Sequence, residues 1–271
     1  MKTVGIIGGS GYTGGELLRL VVNHPSLKLD FVYSSTRPGT FIDETHQDLL
    51  GQFELEFTDQ INTEVDILFL CLGHGNSSKF LKNHTFSNST IIIDLSNDFR
   101  LKKDSKINER EFVYGLPEIN RTAIKKAKSI ANPGCFATAI QLALLPLASR
   151  NKLNSAIHVN ATTGSTGAGV SSSATTHFSW RNNNLSWYKP FTHQHLGEVK
   201  ETLHQAQGKN TEIIFLPQRG NFTRGIFATA YTFFEENLDD AYEIYQEFYK
   251  NAPFTQVSKK ELHLKLVINS N

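Results

Sequence analysis

Cysteine, methionine and tryptophan are scarce in this chain of 271 residues, at two, one and two copies. Two cysteines cannot build a disulfide framework. The fold must therefore rest on packing, and a reducing cytoplasm is the expected setting. Charge of one sign is missing too: 27 Lys plus Arg against 26 Asp plus Glu leave a formal +1. That excludes a global basic field for nucleic acid and an acidic tail. Long hydrophobic runs are absent. The best, such as residues 65–72, fall far short of the about 20 residues of a membrane span. The apolar stretch 3–7 is too short for a signal-peptide core. There is no internal repeat.

What is present suits a globular protein. Hydrophobic residues make up 39% and charged residues 20%, enough apolar material for a sizeable core. At about 150 residues per domain the length predicts two domains, divided here into 1–134 and 135–271. In the first, β-branched runs at 3–7, 29–33, 63–72 and 90–93 read as strands separated by helical stretches. That alternation predicts an α/β domain with a parallel sheet. In the second, strand-like segments at 156–162, 212–216 and 226–234 accompany helical patterns at 136–149 and 239–249. Fewer helices between strands predict an α+β domain with an antiparallel or mixed sheet. The polar stretch 171–187 lies between them.

Gly8-Gly9-Ser10-Gly11-Tyr12-Thr13-Gly14-Gly15 satisfies the spacing Gly-x-Gly-x-x-Gly and a close relative of it. It follows a strand and precedes Leu17, Leu18, Val21 and Val22 at helical spacing. Glycines let the backbone approach a pyrophosphate, and the helix N-terminus offers N–H groups and a positive dipole end. A ligand-free glycine turn is the alternative. At the end of the second strand an NAD site places an acidic residue on the ribose. Here the strand runs out at Ser34-Ser35-Thr36-Arg37, and Asp30 comes too early. Hydroxyls with Arg37 suit a 2′-phosphate, which favours NADP(H) over NAD. Gly73-His74-Gly75 ends the third strand and is a candidate to face the nicotinamide.

Cys135 follows Asn132-Pro133-Gly134 and opens a helical pattern. A thiol at a helix N-terminus has a stabilised thiolate and gains nucleophilicity; a buried small hydrophobe is the other fate of such a cysteine. Cys71, inside an apolar run, exemplifies that fate. A nucleophile needs a base, and His193-Gln194-His195-Leu196-Gly197-Glu198 offers two histidines. A carboxylate stands three residues beyond the second, one helical turn away. His-x-His is also a metal-ligand pair, but no further Cys/His cluster completes it, so no metal is expected. Arg100, Arg181, Arg219 and Arg224 are candidates to hold an anionic substrate through bidentate bonds, with structural ion pairs as the alternative.

These segments carry a resemblance. Residues 8–17, 94–101 (Asp-Leu-Ser-Asn-Asp-Phe-Arg-Leu), 114–121 (Tyr-Gly-Leu-Pro-Glu-Ile-Asn-Arg), 132–135, 163–169 and 193–195 resemble, in order, the N-acetyl-γ-glutamyl-phosphate reductases. Those are NADPH-dependent enzymes of arginine biosynthesis. Residues 179–194 look most like the Bacteroidetes branch. The resemblance implies a Rossmann domain followed by a mixed-sheet catalytic and dimerisation domain, as in the wider aspartate-semialdehyde dehydrogenase group. It implies Cys135 as nucleophile and His193/His195 as the acid–base pair, with His195 favoured because Glu198 follows it. An acyl phosphate substrate, phosphate and a homo-oligomeric partner are implied as well. Two departures stand out. Gly197 replaces a usual proline. The family also continues several dozen residues further, through a Lys-Gly-Ala-Ser-Gly-like loop, so part of the second domain is expected to be missing. That leaves two alternatives, a form that binds cofactor without turnover and a sister reductase acting on another acyl phosphate.

Overall fold

The structure is a computed structural model, and it describes every residue except 53, 269 and 271. The chain divides into two compact units, Met1–Pro133 and Gly134–Asn271.

The first unit runs β1 (Lys2–Ile7), α1 (Tyr12–Val22), β2 (Leu27–Tyr33), α2 (Ile42–Thr45), β3 (Ile67–Leu70), α3 (Ser77–Asn83) and β4 (Ile91–Asp94). A small hairpin, β5 (Lys106–Ile107) and β6 (Arg110–Glu111), precedes β7 (Val113–Tyr114), α4 (Pro117–Lys126) and β8 (Ser129–Ala131). Six strands form one sheet in the order β2-β1-β3-β4-β8-β7, and every pairing is parallel. A parallel sheet is covered on both faces, and the burial shows it. Val4, Ile6, Leu18 and Val32 pack in one cluster, and Ile7, Leu68, Leu70 and Ile92 in another. The four expected strands are present. β7 and β8 escape periodicity because they are two and three residues long.

The order 2-1-3 reverses direction at β1. The carboxyl end of a sheet at such a switch point is where open α/β sheets bind ligands. The glycine loop leaves β1 there.

The second unit runs α5 (Cys135–Ser149), β9 (Ile157–Thr163), α6 (Phe178–Arg181), β10 (Ser186–Trp187), α7 (His195–Gln207), β11 (Ile213–Arg219), β12 (Ile226–Tyr231) and α8 (Leu238–Tyr249). Its sheet has the order β10-β11-β9-β12. β9 and β11 are parallel, and both edge strands are antiparallel to their neighbours, so the expected mixed sheet is present. Alternate residues of β9 and β11, among them Ile157, Val159 and Phe215, are buried. Phe136, Ile140 and Leu144 of α5 and Val199 and Leu203 of α7 are buried with them.

α5 contains Pro146. Proline has no N–H, so the Leu142 carbonyl four residues earlier loses its helical donor. The Tyr249 hydroxyl of α8 donates to that carbonyl at 2.6 Å, and Tyr245 bonds the neighbouring Ala143 carbonyl. A gap in one helix thus becomes the docking point of another. Tyr249→Phe should cost about 1–3 kcal/mol, the penalty of a buried acceptor left unmade. In a Pro146→Ala background, where the helix can satisfy Leu142 itself, the same substitution should cost clearly less. Urea unfolding of the four chains of this cycle checks it.

Candidate active site

In the first unit the predicted cofactor residues gather at the carboxyl end of the sheet. α1 starts directly after the glycine loop. Gly14 has no room for a side chain, since a Cβ there would lie 2.6 Å from both Cα and O of Gly9. The N-cap residue Gly11 contributes no side-chain bond, and no acidic residue stands in the first turn. The N–H groups that no helix satisfies in its own first turn, at Tyr12, Thr13 and Gly14, can therefore serve an external anion. The start of α3 is different. The Asp98 carboxylate accepts from the N–H groups of Gly75 (2.6 Å) and Ser78 (2.9 Å), so that helix end already has its anion.

The remaining predicted cofactor residues lie around this end of the sheet. Ser34 is buried, with its hydroxyl 3.2 Å from that of Ser10 and 3.3 Å from that of Thr36. Ser35 and Arg37 follow on an exposed turn. Asp30 is exposed and accepts from Asn62, away from the strand end. Gly73 and His74 follow β3, and His74 Nδ1 accepts from the Asn97 N–H at 3.1 Å. Asp94 is fully buried. Burial pushes its carboxyl up, while bonds from Ser77 and Ser96 oppose the shift. Cys71 lies just beyond β3. Burial, with the Asp94 charge adding to it, raises its thiol to about 12, which makes it a poor nucleophile at neutral pH.

In the second unit the predicted catalytic residues gather where α5 and α7 begin. Cys135 is the first residue of α5, behind the N-cap Gly134. It is exposed and outside any disulfide, the position in which a helix dipole stabilises a thiolate. The Gly134 N–H donates to Glu198 Oε2 at 2.9 Å, and Glu198 is buried. A Cβ on Gly134 would lie 2.5–2.7 Å from three atoms of the His195 ring. The missing side chain is what admits that ring beside the cysteine turn.

The two histidines differ. His193 Nδ1 accepts from the His195 N–H at 3.2 Å, which assigns the His193 proton to Nε2. The His193 ring lies 4.6 Å from that of His195, 5.3 Å from Phe136, 5.7 Å from Tyr188 and 5.8 Å from Phe215. Burial, helped by the charges of Lys189 and Arg219, pulls its pKa down to about 4. His193 is therefore neutral near pH 7 and orders the start of α7. Tyr188 also belongs to this group. The Arg219 guanidinium stacks 4.3 Å over its ring. Burial raises its phenol, the Arg219 charge opposes that, and the Cys135 charge adds to it. No spacing rule marks Tyr188 in the sequence, because aromatics adjacent to a loop are common and carry no pattern.

The predicted arginines fall in different places. Arg219, at the end of β11, joins Tyr188 and His193, and its Nη1 donates to Thr175 Oγ1 at 3.0 Å. Arg181 is buried and donates to the Arg219 carbonyl and the Ser186 hydroxyl, so it braces the loop that carries Tyr188. Arg224 lies before β12, with Nη2 3.5 Å from the Ser270 carbonyl. Arg100, in the first unit, is also buried. It donates from Nε and Nη2 to the carbonyls of Asn132 and Leu95, which ties the end of β4 to the segment leading out of β8. Among the described residues, no group of three or more His, Cys, Asp or Glu is placed to hold a metal ion. No described helix is long and apolar enough to cross a membrane.

The depressed pKa of His193 has a measurable consequence. The unfolded chain takes up this proton near 6.5, the folded chain only near 4. Between those values the unfolded state binds more protons, so stability rises with pH across that window. The contribution is fully present above about 6.5 and is lost as pH falls toward about 4. His193→Gln should flatten this part of the stability profile. Urea midpoints compared at about pH 7.5 and pH 5 check it.

Comparison with known proteins agrees with the geometry. The family model described as "Semialdehyde dehydrogenase, NAD binding domain" matches residues 3–127. That described as "Semialdehyde dehydrogenase, dimerisation domain" matches residues 135–271. The N-acetyl-gamma-glutamyl-phosphate reductase of Flavobacterium johnsoniae is 57% identical over 272 residues, covering 100% of this chain and 84% of its own length. The enzyme of the same name from Christiangramia forsetii is also 57% identical, with the same coverage. Among solved structures, aspartate semialdehyde dehydrogenase II of Vibrio cholerae, complexed with ASA, superposes with a TM-score of 0.67 at 15% identity. That match covers 93% of this chain and 80% of the other. The Candida albicans enzyme with NADP gives 0.64 at 14% identity, covering 90% and 75%. These structural matches speak for the fold alone. The glycine loop, the cysteine at the head of α5 and full-length identity of this order together place the chain in the N-acetyl-γ-glutamyl-phosphate reductase family of the semialdehyde dehydrogenase group.

Proposed function

We propose that the protein reduces N-acetyl-γ-glutamyl phosphate to N-acetylglutamate semialdehyde with NADPH, releasing phosphate, as a step of arginine biosynthesis. The observation that carries this reading is Cys135 at the head of α5 with the His195 ring against the preceding glycine. The names of the Flavobacterium johnsoniae and Christiangramia forsetii relatives support the substrate. The cytoplasm is the proposed site of action, and the dimerisation-domain match supports a homo-oligomer.

In this mechanism the Cys135 thiolate attacks the acyl carbon, the bond to the phosphate oxygen breaks, and a thioester forms on Cys135. NADPH, when bound, supplies the hydride that reduces the thioester. N–H groups in the first turn of α5 hold the oxyanion that develops on the carbonyl carbon's oxygen. His195 is the group that carries the proton, since His193 stays neutral and has its Nδ1 engaged. Collapse of the thiohemiacetal breaks the C–S bond, releases the aldehyde and returns the thiolate. Glu198 acts by holding the Gly134 N–H, which positions the cysteine turn. Arg219 is the arginine best placed in this unit to meet an anionic group, because it is half-buried rather than enclosed and lies beside Tyr188 and His193. In the first unit the uncapped start of α1 fits a pyrophosphate. Ser34, Ser35 and Arg37 fit the 2′-phosphate end, and Gly73 and His74 fit the nicotinamide side.

Two experiments test the proposal. Cys135→Ser should lower phosphate-dependent reduction of NADP by N-acetylglutamate semialdehyde by roughly 10³-fold or more. Its NADP affinity should change little, and full activity would exclude the thioester route. Arg37→Ala should raise the Kd for NADP about tenfold, equivalent to ~1.4 kcal/mol, while leaving that for NAD nearly unchanged. Titration of both nucleotides by protein fluorescence checks it.

A further inference from the structure

We propose that His46, a residue outside every motif described above, is a positioning residue that orients the glycine loop for cofactor phosphate. This inference rests on the nucleotide-binding reading of that loop.

His46 lies between α2 and a short 3₁₀ turn, Gln47–Leu49, and is 8% exposed. Its Nε2 is 2.8 Å from the Gly9 carbonyl oxygen. A carbonyl only accepts, so Nε2 carries the proton and donates. The other side of the ring meets the first turn of α1. A Cβ on Gly15 would lie 2.6 Å from both Cε1 and Nδ1 of His46. One imidazole therefore touches the loop at its start and the helix that follows it.

The bond to Gly9 has a geometric consequence. The Gly9 carbonyl and the Ser10 N–H belong to one planar trans peptide and point in opposite directions. Holding the carbonyl toward His46 turns the Ser10 N–H away from it. The two preceding N–H groups, of Gly8 and Gly9, are already spent on the Tyr33 carbonyl at 3.0 and 3.1 Å. Ser10 is thus the first loop residue beyond β1 whose N–H orientation is set by something other than β2. His46 sets it. Without that donor the Gly9–Ser10 peptide loses the hydrogen bond that fixes its carbonyl, and glycine on one side of it lowers the cost of rotation.

A purely structural role would have a different signature. The segment is fastened to α1 independently of His46, because Asp48 accepts two bonds from the Arg19 guanidinium at 2.5 and 2.6 Å. Phe57 also packs edge-on at 6.4 Å between ring centres. Loss of the imidazole donor should consequently loosen the loop more than it loosens the unit.

The test compares His46→Leu, which fills space without donating, with His46→Gln, which keeps an N–H donor of similar reach. Three quantities are measured for the full chain: NADP Kd by fluorescence titration, the thermal midpoint without ligand, and the split of KM for NADP against kcat. The expected result is a Kd and KM raised at least tenfold in His46→Leu, with kcat within about twofold, and near wild-type values in His46→Gln. An unchanged Kd in His46→Leu, with or without a lower thermal midpoint, overturns the inference while leaving the function proposal intact. If the wild-type chain shows no saturable NADP binding, the nucleotide reading itself fails, and the two failures are thereby told apart. Should His46→Leu not fold, His46→Asn, whose donor is too short to reach, replaces it. A Kd at least fivefold above that of His46→Gln then supports the inference, and equal values overturn it.

Discussion

One hydrogen bond organises the second unit around Cys135: the Gly134 N–H donates to the buried Glu198 carboxylate. The donor belongs to the turn in front of Cys135, and the acceptor sits in the first turn of α7. The bond therefore joins two helix starts that are more than 60 residues apart in sequence. Because Glu198 is fixed there, His195 one turn earlier is brought against Gly134, where only a residue without Cβ leaves room for the ring. His193 then caps this arrangement by accepting from the His195 N–H. A cysteine at a dipole end, an imidazole ring beside its turn and a neutral histidine behind that ring all follow from one satisfied carboxylate. A buried carboxylate left without its donors would be costly, so the bond serves stability and placement together.

The first unit, matched by the NAD-binding family model, depends on a different constraint, that of the parallel sheet. Every strand of the six-stranded sheet points the same way, so the loops after β1, β2, β3 and β4 all emerge at one end. Two helices begin there. Asp98 occupies the start of α3, while α1 is left uncapped. The same physics, N–H groups seeking an anion, is met from within at α3 and left open to an external anion at α1. His46 supports the second case from beneath the loop.

Much of this was readable from residue order. The glycine spacing, the short β-branched run before it and the helically spaced Leu17, Leu18, Val21 and Val22 announce a strand-loop-helix unit without reference to anything distant. Cys135 behind Pro133 and Gly134 announces a helix start for the same local reason. The long strands were legible because burial on both faces writes itself as an apolar run. β7, β8 and β10 were not, since two or three residues hold no period. The roles of the arginines were equally hidden. Arg100 and Arg181 have the chemistry of anion binders, yet they donate to carbonyls of their own chain. Partner choice of that kind is a property of the folded neighbourhood.

His193 and His195 show where the division lies. The sequence by itself determined that two imidazoles and a carboxylate occur within six residues, after a cysteine placed to open a helix, because those are matters of composition and local spacing. Only the tertiary structure decided that the two imidazoles would stand in different surroundings. Phe136, Tyr188 and Phe215, gathered from three separated segments, desolvate His193, and Lys189 and Arg219 set positive charge beside it. His195, at the head of α7, is instead pressed against the cysteine turn. Desolvation and distant charge are sums over space rather than over sequence, and they come into being when the chain closes on itself.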